Sequence, residues 1–196
     1  MIDSKNFTGP DPPEWYLGAY VAYFKDKLYY LGGEDPKTKE KTNRVDVLID
    51  GEWQTGPTFP LPISCVKTIT CNETLYVIDV NGSNKIYRLS DDEREWIEIG
   101  ELPEKRMNFG AASLNGKLYI TGGGSYPNAL KSCLCFDPSA PVDRRISQIA
   151  DMSYAREHHS LIVANEKLYA IGGEEHQPFE SIPEGLRVLP EMQTPG

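Results

Sequence analysis

The chain has three histidines and four cysteines, the residue types most often found in zinc sites. His158 and His159 are neighbours, so on a strand they point to opposite faces and cannot both bind one ion without distortion. Cys133 and Cys135 share one face of a predicted strand, a geometry in which neighbouring side chains rarely form a disulfide. None of these residues shows the Cys-x-x-Cys or His-x-x-x-His spacing typical of zinc ligands. The sequence therefore predicts no metal site and no cofactor.

Catalytic motifs are also missing from the sequence. It contains no nucleophile elbow, no phosphate-binding loop and no metal-binding helix motif. We therefore predict that the protein has no catalytic residues and is not an enzyme.

Composition and charge restrict the class of protein further. The 196 residues are 39% hydrophobic and 25% charged, which is typical of a globular domain with a sizeable core. The net charge of −9 argues against nucleic acid or an anionic membrane as a partner. No apolar run approaches the ~20 residues that cross a bilayer, and residues 1–13 do not resemble a secretory signal. With cysteines interpreted as reduced packing residues, we expect a cytoplasmic protein.

A repeated Leu-Tyr pair is the strongest pattern in the sequence. It occurs at Leu28, Leu75, Leu118 and Leu168, at intervals of 47, 43 and 50 residues. In three of these repeats the pair leads within four residues to a double glycine: Gly32 and Gly33, Gly122 and Gly123, and Gly172 and Gly173. Self-similarity at this period indicates a repeat architecture.

Each repeat is predicted to form four antiparallel strands. In the third repeat, Asn115-Gly116 between β-forming residues predicts a hairpin turn, because both central residues of such a turn need positive φ. The double glycine ends the second strand, and Asp137-Pro138 ends the third. The predicted strands are 19–24, 27–31, 44–48 and 53–55; 67–70, 74–78, 85–89 and 95–99; and 109–114, 117–121, 132–136 and 145–149. Small sheets of this kind must pack on copies of themselves, as in a β-propeller.

These motifs together resemble the kelch repeat. The resemblance rests on Leu-Tyr-x-x-Gly-Gly, the strand ending in Asp-Pro, and Met152 to Ser160 with its Arg156. It implies an all-β, kelch-type β-propeller of about four four-stranded blades in an incomplete ring. The expected divisions are an N-terminal extension (1–14) and a repeat domain (15–192) with blades at 15–58, 59–101, 102–151 and 152–190. Residues 191–196 resemble the start of a truncated fifth repeat, so we expect further blades or domains in the parent protein.

The repeats are unequal. The second repeat has Asp79-Val80 in place of the glycines, and Trp53 and Trp96 mark the fourth strand only in the first two repeats. Arg106 and Arg156 open the third and fourth repeats, twelve residues before the Leu. Each arginine either contacts a partner or braces neighbouring blades by binding backbone carbonyls, which the five guanidinium donors suit. We favour the structural role.

The resemblance also implies a binding face. In kelch propellers, residues just after the double glycine and two residues beyond the repeat-opening Arg commonly line a face that binds a partner peptide. The corresponding positions here are Glu34, Asn81, Gly124 and Glu174; Pro36, Ser83, Tyr126 and His176; and Gly18, Cys65, Asn108 and His158. Because this set is rich in acids and amides, we expect a basic or polar peptide as the partner, with Tyr126 as an aromatic anchor. The alternative is that these are solvated loop residues.

The leading function is thus a protein-protein interaction module. Its Met-x-x-x-Arg repeat starts are most similar to those of the kelch-like proteins, whose propellers recruit substrates to cullin-type ubiquitin ligases. The alternatives are an actin-associated cytoskeletal scaffold and a sugar-directed propeller enzyme.

Overall fold

The structure, a computed structural model, describes residues 9–78, 83–125 and 128–174. These residues form three four-stranded antiparallel sheets and one two-stranded hairpin. The first sheet contains β1 (Tyr20–Phe24), β2 (Lys27–Leu31), β3 (Val45–Ile49) and β4 (Glu52–Thr55). The second contains β5 (Lys67–Cys71), β6 (Thr74–Ile78), β7 (Lys85–Leu89) and β8 (Trp96–Glu101). Each sheet follows the chain order from first to fourth strand, as the sequence predicted.

The third sheet has the same order but carries additions that the sequence did not predict. It contains β9 (Gly110–Leu114), β10 (Lys117–Thr121), β13 (Cys133–Phe136) and β14 (Ile146–Ile149). A small hairpin of β11 (Gly124–Ser125) and β12 (Asn128–Ala129) follows β10, and a short 3-10 helix spans Val142–Arg144. The fourth repeat is described as the hairpin of β15 (Ser160–Ala164) and β16 (Lys167–Ile171). In the described part of the chain, no helix is long and apolar enough to cross a membrane.

The turn between the first two strands has the same backbone form in every repeat. Asn115 and Gly116 have φ of 50° and 75°, the positive values predicted for this hairpin. The three other turns also have positive φ at both central residues: Lys25 and Asp26, Asn72 and Glu73, and Asn165 and Glu166. The repeat therefore fixes the turn even where glycine is absent.

The core lies between adjacent sheets rather than within one sheet. Successive residues of a strand point to opposite faces, so the two members of each Leu-Tyr pair enter different layers. Leu118 packs with Ile69 and Ile78 of the second sheet. Its neighbour Tyr119 packs with Leu168 of the fourth repeat. The leucine therefore contacts the preceding repeat and the tyrosine the following one, which stacks the sheets in chain order.

The double glycines allow the next repeat to approach closely. Gly33 donates a backbone hydrogen bond to the carbonyl of Ile63 at 2.7 Å, and Gly123 donates one to the carbonyl of Arg156 at 2.8 Å. A Cβ atom on Gly122 would lie 2.5 Å from the Arg156 carbonyl oxygen. Only glycine leaves this space, so the motif joins neighbouring sheets as well as ending a strand.

The strands of each sheet begin and end at two opposite sides of the stacked sheets, which we call edges. The first strands of successive sheets contact one another, with β1 next to β5, β5 next to β9 and β9 next to β15. The segments that enter these first strands lie at the same edge as the double glycines, which we call the glycine edge. The two-residue turns lie at the other edge, which we call the turn edge.

The two tryptophans of the fourth strands, Trp53 and Trp96, each bind the segment that enters their own repeat. The indole Nε1 of Trp96 donates to the carbonyl of Pro57, and that of Trp53 donates to the carbonyl of Pro10, both at 3.0 Å. Pro10 and Pro57 occupy the same repeat position, eighteen residues before the Leu of the Leu-Tyr pair. Residues 9–14, predicted as part of an N-terminal extension, thus contact the first sheet as the later linker contacts the second.

Candidate partner-binding site

The glycine edge brings the predicted binding residues together through a repeated backbone contact. Glu34 exchanges two backbone hydrogen bonds with Leu17, both at 2.8 Å. Gly124 and Met107 exchange bonds of 2.7 and 2.9 Å, and Glu174 and Glu157 exchange two of 3.0 Å. The residue after each of these double glycines therefore lies opposite the residue that precedes Gly18, Asn108 or His158.

The predicted positions beyond the repeat opening share a left-handed backbone. Gly18, Cys65, Asn108 and His158 have φ of 64°, 54°, 54° and 56°. The amide of Cys65 donates to the carbonyl of Gly18 at 2.9 Å, and that of His158 donates to Asn108 at 2.8 Å. These bonds link the first repeat to the second and the third to the fourth at the glycine edge.

Between the third and fourth repeats these residues form a polar group, which we call the acidic cluster: Asn108, Glu157, His158 and Glu174. The amide nitrogen of Asn108 donates to Glu157 Oε2 at 3.1 Å, and His158 Nδ1 lies 3.1 Å from Glu174 Oε1. Glu157 is 5% exposed, whereas the side chain of Glu174 is 58% exposed. The cluster thus has one buried carboxylate that orders it and one that solvent or a partner can reach.

Glu157 was missed in the sequence. Its carboxylate fits against the third repeat because Gly124 has no side chain: a Cβ atom there would lie 2.6 Å from Glu157 Oε2. The sequence signal that could have found Glu157 is its place next to His158, opposite the position that follows the double glycine.

The remaining predicted contact residues divide into described and undescribed positions. Glu34 is half-buried at the glycine edge of the first sheet. Ser83 is half-buried, and its Oγ accepts a bond of 3.4 Å from the backbone of Lys85. Asn81, Tyr126 and His176 lie outside the described residues and stay predictions.

Exposed apolar side chains flank these polar positions. Leu17 is 54% exposed and Met107 is 44% exposed, and each is backbone-paired with a residue that follows a double glycine. Trp15 is 67% exposed and Tyr154 47% exposed in the segments that enter the first and fourth repeats. Acidic and apolar groups thus share the glycine edge, and exposed Trp, Tyr and Met side chains are of the types enriched in protein-binding surfaces.

Arg106 binds backbone carbonyls, but those of its own repeat. Its Nη1 donates to the carbonyls of Gly122 and Ser132 at 3.0 and 3.1 Å, and Nη2 donates to Glu104 at 2.5 Å. The residue is 1% exposed, and burial lowers the pKa of its guanidinium while Glu104 opposes the shift. The sequence predicted that the arginines bind backbone carbonyls and so brace neighbouring repeats. Arg106 binds carbonyls, but they belong to its own repeat.

Arg156 repeats part of this arrangement in the fourth repeat. Its Nη1 donates to the carbonyl of Gly172 at 2.5 Å, and its own carbonyl accepts the bond from Gly123. The side chain is thus held within the repeat, while the backbone joins the repeat to the preceding one. Both arginines are buried and lie behind the surface that a partner would touch.

The second histidine of the pair is a core residue. His159 is 4% exposed, and its Nε2 lies 2.8 Å from Thr121 Oγ1. Burial, with Arg156 and Lys67 nearby, lowers the pKa of His159 to about 4, so the ring is neutral at physiological pH. Among the described residues no group of three or more His, Cys, Asp or Glu side chains has the geometry of a metal site.

The four cysteines are free thiols. Cys71, Cys133 and Cys135 are buried in the layers between sheets, and burial raises the pKa of Cys133 to about 11. A buried, protonated thiol is a poor nucleophile. These three cysteines are therefore packing residues, and Cys65 at the glycine edge is exposed.

Comparisons with known proteins find a kelch motif and similar proteins. The Kelch motif family model matches residues 105–140. The human Kelch-like protein 23 is 32% identical over 127 residues, which cover 61% of this chain and 22% of the human protein. Alpha-scruin of Limulus polyphemus is 34% identical over 185 residues, covering 84% of this chain and 19% of that protein. The N-acetylneuraminate epimerase of Pasteurella multocida is 31% identical over 133 residues, covering 64% and 35% of the two chains.

The stacked antiparallel sheets and the matched motif define a kelch-repeat domain of the β-propeller class. Its resemblance is to the kelch-like proteins, as the sequence motifs predicted. The chain spans about a fifth of the length of Kelch-like protein 23 and of alpha-scruin, and about a third of the epimerase.

Proposed function

We propose that this chain is a protein-interaction module whose glycine edge binds a segment of a partner protein that carries basic or polar residues. The observation that carries the proposal is the acidic cluster, in which a buried carboxylate and a fixed backbone present Glu174 and His158 to solvent. Binding residues on a rigid scaffold lose little conformational freedom when a partner arrives. The kelch motif and the similarity to kelch-like proteins support the same class of function.

The charge of this edge favours a basic segment. Glu34 and Glu174 occupy equivalent positions after their double glycines, and both have accessible side chains. Two basic groups of the same segments, Arg106 and Arg156, are buried and engaged with backbone carbonyls, whereas Lys105 is exposed. A lysine or arginine of the partner would meet the carboxylates of Glu34 and Glu174, the latter beside His158, while Leu17 and Met107 would contact its apolar residues.

The test uses labelled peptides that pair arginine or lysine with a large apolar residue, with matched peptides in which citrulline or norleucine replaces the basic residue. Binding is measured by fluorescence anisotropy at two salt concentrations. We expect the basic peptides to bind more tightly, and the preference to weaken at high salt because screening reduces exposed charge interactions.

Two variants locate the site. Glu34→Gln with Glu174→Gln should weaken capture of the basic peptide about tenfold, at about 0.7 kcal/mol for each ion pair lost. The control is Glu52→Gln with Glu73→Gln, which removes the same charge from the turn edge. Equal weakening by both pairs of substitutions would show that only net charge matters and would contradict a site at the glycine edge.

Within this class we propose the role of a substrate-recognition domain in a cullin-type ubiquitin ligase adaptor. The resemblance to the kelch-like proteins supports it. The test is co-purification of the full-length parent protein with a cullin; a parent protein that binds no cullin would contradict the role without affecting peptide binding. The actin-associated scaffold, the alternative from the sequence, would instead show sedimentation of the protein with actin filaments. We also propose that the protein acts in the cytoplasm, where its four free thiols remain reduced.

A further inference from the structure

A cavity of about 310 Å³ opens where the first three repeats meet at the glycine edge. Its apolar walls include Ala19, Val66 and Phe109, and its polar groups include Cys65, Lys67 and Asn108. This volume is at the small end of the range for ligand pockets in proteins. It fits one side chain or a small organic molecule.

Lys67 is the unusual residue of this cavity. The equivalent positions, eight residues before each Leu-Tyr pair, hold Tyr20, Gly110 and Ser160. The repeat pattern therefore does not require a basic residue at this position. Lys67 is half-buried at the start of β5, and burial lowers the pKa of its ammonium group. Within the part of the chain that the structure describes, its ammonium group makes no hydrogen bond or ion pair.

The described residues around Lys67 do not supply a counter-charge. The titratable groups nearest the cavity are Tyr20 and Cys65 in its lining and His159, which is buried and neutral. No carboxylate of the described residues lines the cavity. A half-buried cation without an anion is unfavourable, and an incoming anion would remove this cost.

We propose that this cavity binds a carboxylate, which pairs with Lys67 while Val66 and Phe109 contact the short apolar stem that carries it. A carboxylate matches the site better than a phosphate does, because a single ammonium balances a single negative charge. Phosphate sites usually add arginine forks or a row of backbone amides, and the lining contains no arginine. Asn108 also lines the cavity, and its side-chain Nδ2 donates to Glu157 Oε2.

This inference goes beyond the basic segment proposed for the glycine edge. Lys67 does not belong to the acidic cluster, and Glu34→Gln or Glu174→Gln leaves the cavity lining unchanged. Loss of carboxylate binding and loss of basic-peptide binding are therefore separate results, obtained with separate variants.

The experiment follows the side chain of Lys67 directly, by NMR of the protein carrying ¹³C-labelled lysine. Sodium propionate and the blocked peptide acetyl-Ala-Glu-Ala-amide are titrated against sodium chloride and acetyl-Ala-Gln-Ala-amide at constant ionic strength. We expect Lys67 to titrate below the ordinary lysine range in the free protein, because burial disfavours the ammonium. Its pKa should rise when a carboxylate binds, because the anion stabilises that ammonium.

Two variants assign the effect. Lys67→Met keeps the aliphatic stem and should weaken carboxylate binding about tenfold, with folding checked by circular dichroism. Lys105→Gln removes an exposed cation from the same edge and should leave binding unchanged. Saturation by propionate alone would identify a free small acid as the ligand, and saturation by the glutamate peptide alone would identify an acidic side chain. Ordinary titration of Lys67 in the free protein, or no response to either probe, would overturn the proposal.

Discussion

Two interfaces between neighbouring repeats use the same backbone contact with different side chains. Where the first repeat meets the second, Gly33 donates to the carbonyl of Ile63. Where the third meets the fourth, Gly123 donates to the carbonyl of Arg156 at the equivalent position. Ile63 is an apolar core residue, whereas Arg156 binds a carbonyl through its side chain. The repeat thus conserves the close approach of the backbone and leaves the side chain free to vary.

The side chains packed between the sheets also differ between the two interfaces. The first interface holds a cluster of aromatic rings, in which Phe59 lies 4.7 Å from Tyr87 and 5.2 Å from Trp96 between ring centroids. At its turn edge Glu93 accepts bonds from Lys27 and Tyr29 at 2.6 and 2.7 Å. Burial opposes ionisation of Glu93, but these bonds outweigh it and lower the pKa of the carboxyl group.

The described part of the interface between the third and fourth repeats includes buried polar contacts. Leu114, Leu161 and Ala170 pack there around a single aromatic ring, that of Tyr119. The hydrogen-bonded pair of His159 and Thr121 is buried behind them. Aromatic packing and buried polar contacts are therefore alternative ways to fill the space that the glycines leave.

The largest effect is expected when a side chain is added at the second glycine of the motif, which packs against the opening segment of its own repeat. Gly123 has φ of 95°, and a Cβ atom there would lie 2.6 Å from the Met107 carbonyl oxygen. Gly33 has φ of 105°, and its Cβ would lie 2.5 Å from Tyr16 Cβ. Gly123→Ala or Gly33→Ala should lower the free energy of unfolding by about 4 to 5 kcal/mol, through backbone strain and overpacking together. Urea denaturation measures the change.

Gly51→Ala is the control for these two variants. Gly51 also has a positive φ, of 85°, but no atom lies within 4 Å of its Cβ position. It should show the cost of the backbone conformation alone. If Gly51→Ala were as destabilising as Gly123→Ala, the close packing of Gly123 against Met107 would contribute nothing.

The second prediction exchanges the side chains of the two kinds of repeat. Arg106→Ile places the residue of the second repeat into the third, where it removes the guanidinium donor from the carbonyls of Gly122 and Ser132 and from Glu104. Ser132 keeps the bond from the Gly122 amide, and Glu104 keeps the bond from Ser132 Oγ. The expected loss is about 3 to 4 kcal/mol, since buried polar groups that lose their partner are costly. Chemical denaturation of this variant measures it.

Ile63→Val is the reference variant at the equivalent position of the second repeat. It removes one methylene group from the apolar core and should cost about 1 kcal/mol. A loss for Arg106→Ile that is no larger would mean that the third repeat tolerates an apolar opening residue as the second does.

The third prediction concerns pH and separates the interfaces by their titratable groups. The pKa of His159 is about 4 in the folded chain and near 6.5 when unfolded. Between these pH values the unfolded chain binds a proton that the folded chain does not. The contribution of His159 to the free energy of unfolding is therefore fully present above pH 6.5 and is lost as the pH drops toward 4. The expected loss is about 2 to 3 kcal/mol.

The measurement is the denaturation midpoint of wild type and His159→Gln at several pH values in this window. The variant should lack this part of the pH dependence. His158→Gln, which changes the exposed neighbour, should retain it. A pH profile of His159→Gln that follows the wild type throughout would show that the buried ring does not titrate in this range.

The sequence predicted the strands best where a turn and the Leu-Tyr pair fix the register together. β2, β6 and β10, which carry the pair, begin and end at the predicted residues, as does β7 without it. The other predicted strands differ from the structure by one or two residues at their ends. β11 and β12 were missed because the loop after Gly123 has no periodic pattern, and loops carry few constraints that a single sequence reveals.

The candidate site could be predicted by position but not by contact. The kelch resemblance indicated His158 and Asn108, and the structure adds their shared left-handed backbone. Asparagine and histidine tolerate this conformation more than most residues do, but Cys65 at the equivalent position gives no such signal. Glu157 was missed because its role depends on a glycine 33 residues away, Gly124, that leaves room for the carboxylate.

The smallest prediction compares the turns of the second and third repeats, which share a backbone form but differ in one residue. Glu73 has φ of 55° where the third repeat has Gly116. Glycine adopts positive φ without steric cost, although it also gains entropy in the unfolded chain. Glu73→Gly should therefore stabilise the chain by about 0.5 kcal/mol, and Gly116→Glu should destabilise it by at least as much.

Thermal denaturation of the two variants measures these changes, and the double variant should restore a stability close to wild type because each turn then carries the residue of the other. The side chain of Asn72 lies 2.9 Å from the Cβ position of Gly116, so the turns of neighbouring repeats touch. A double variant much less stable than wild type would show that glycine is needed in the third repeat for this contact, and not only for its conformation. The turn edge would then join repeats by close approach as the glycine edge does.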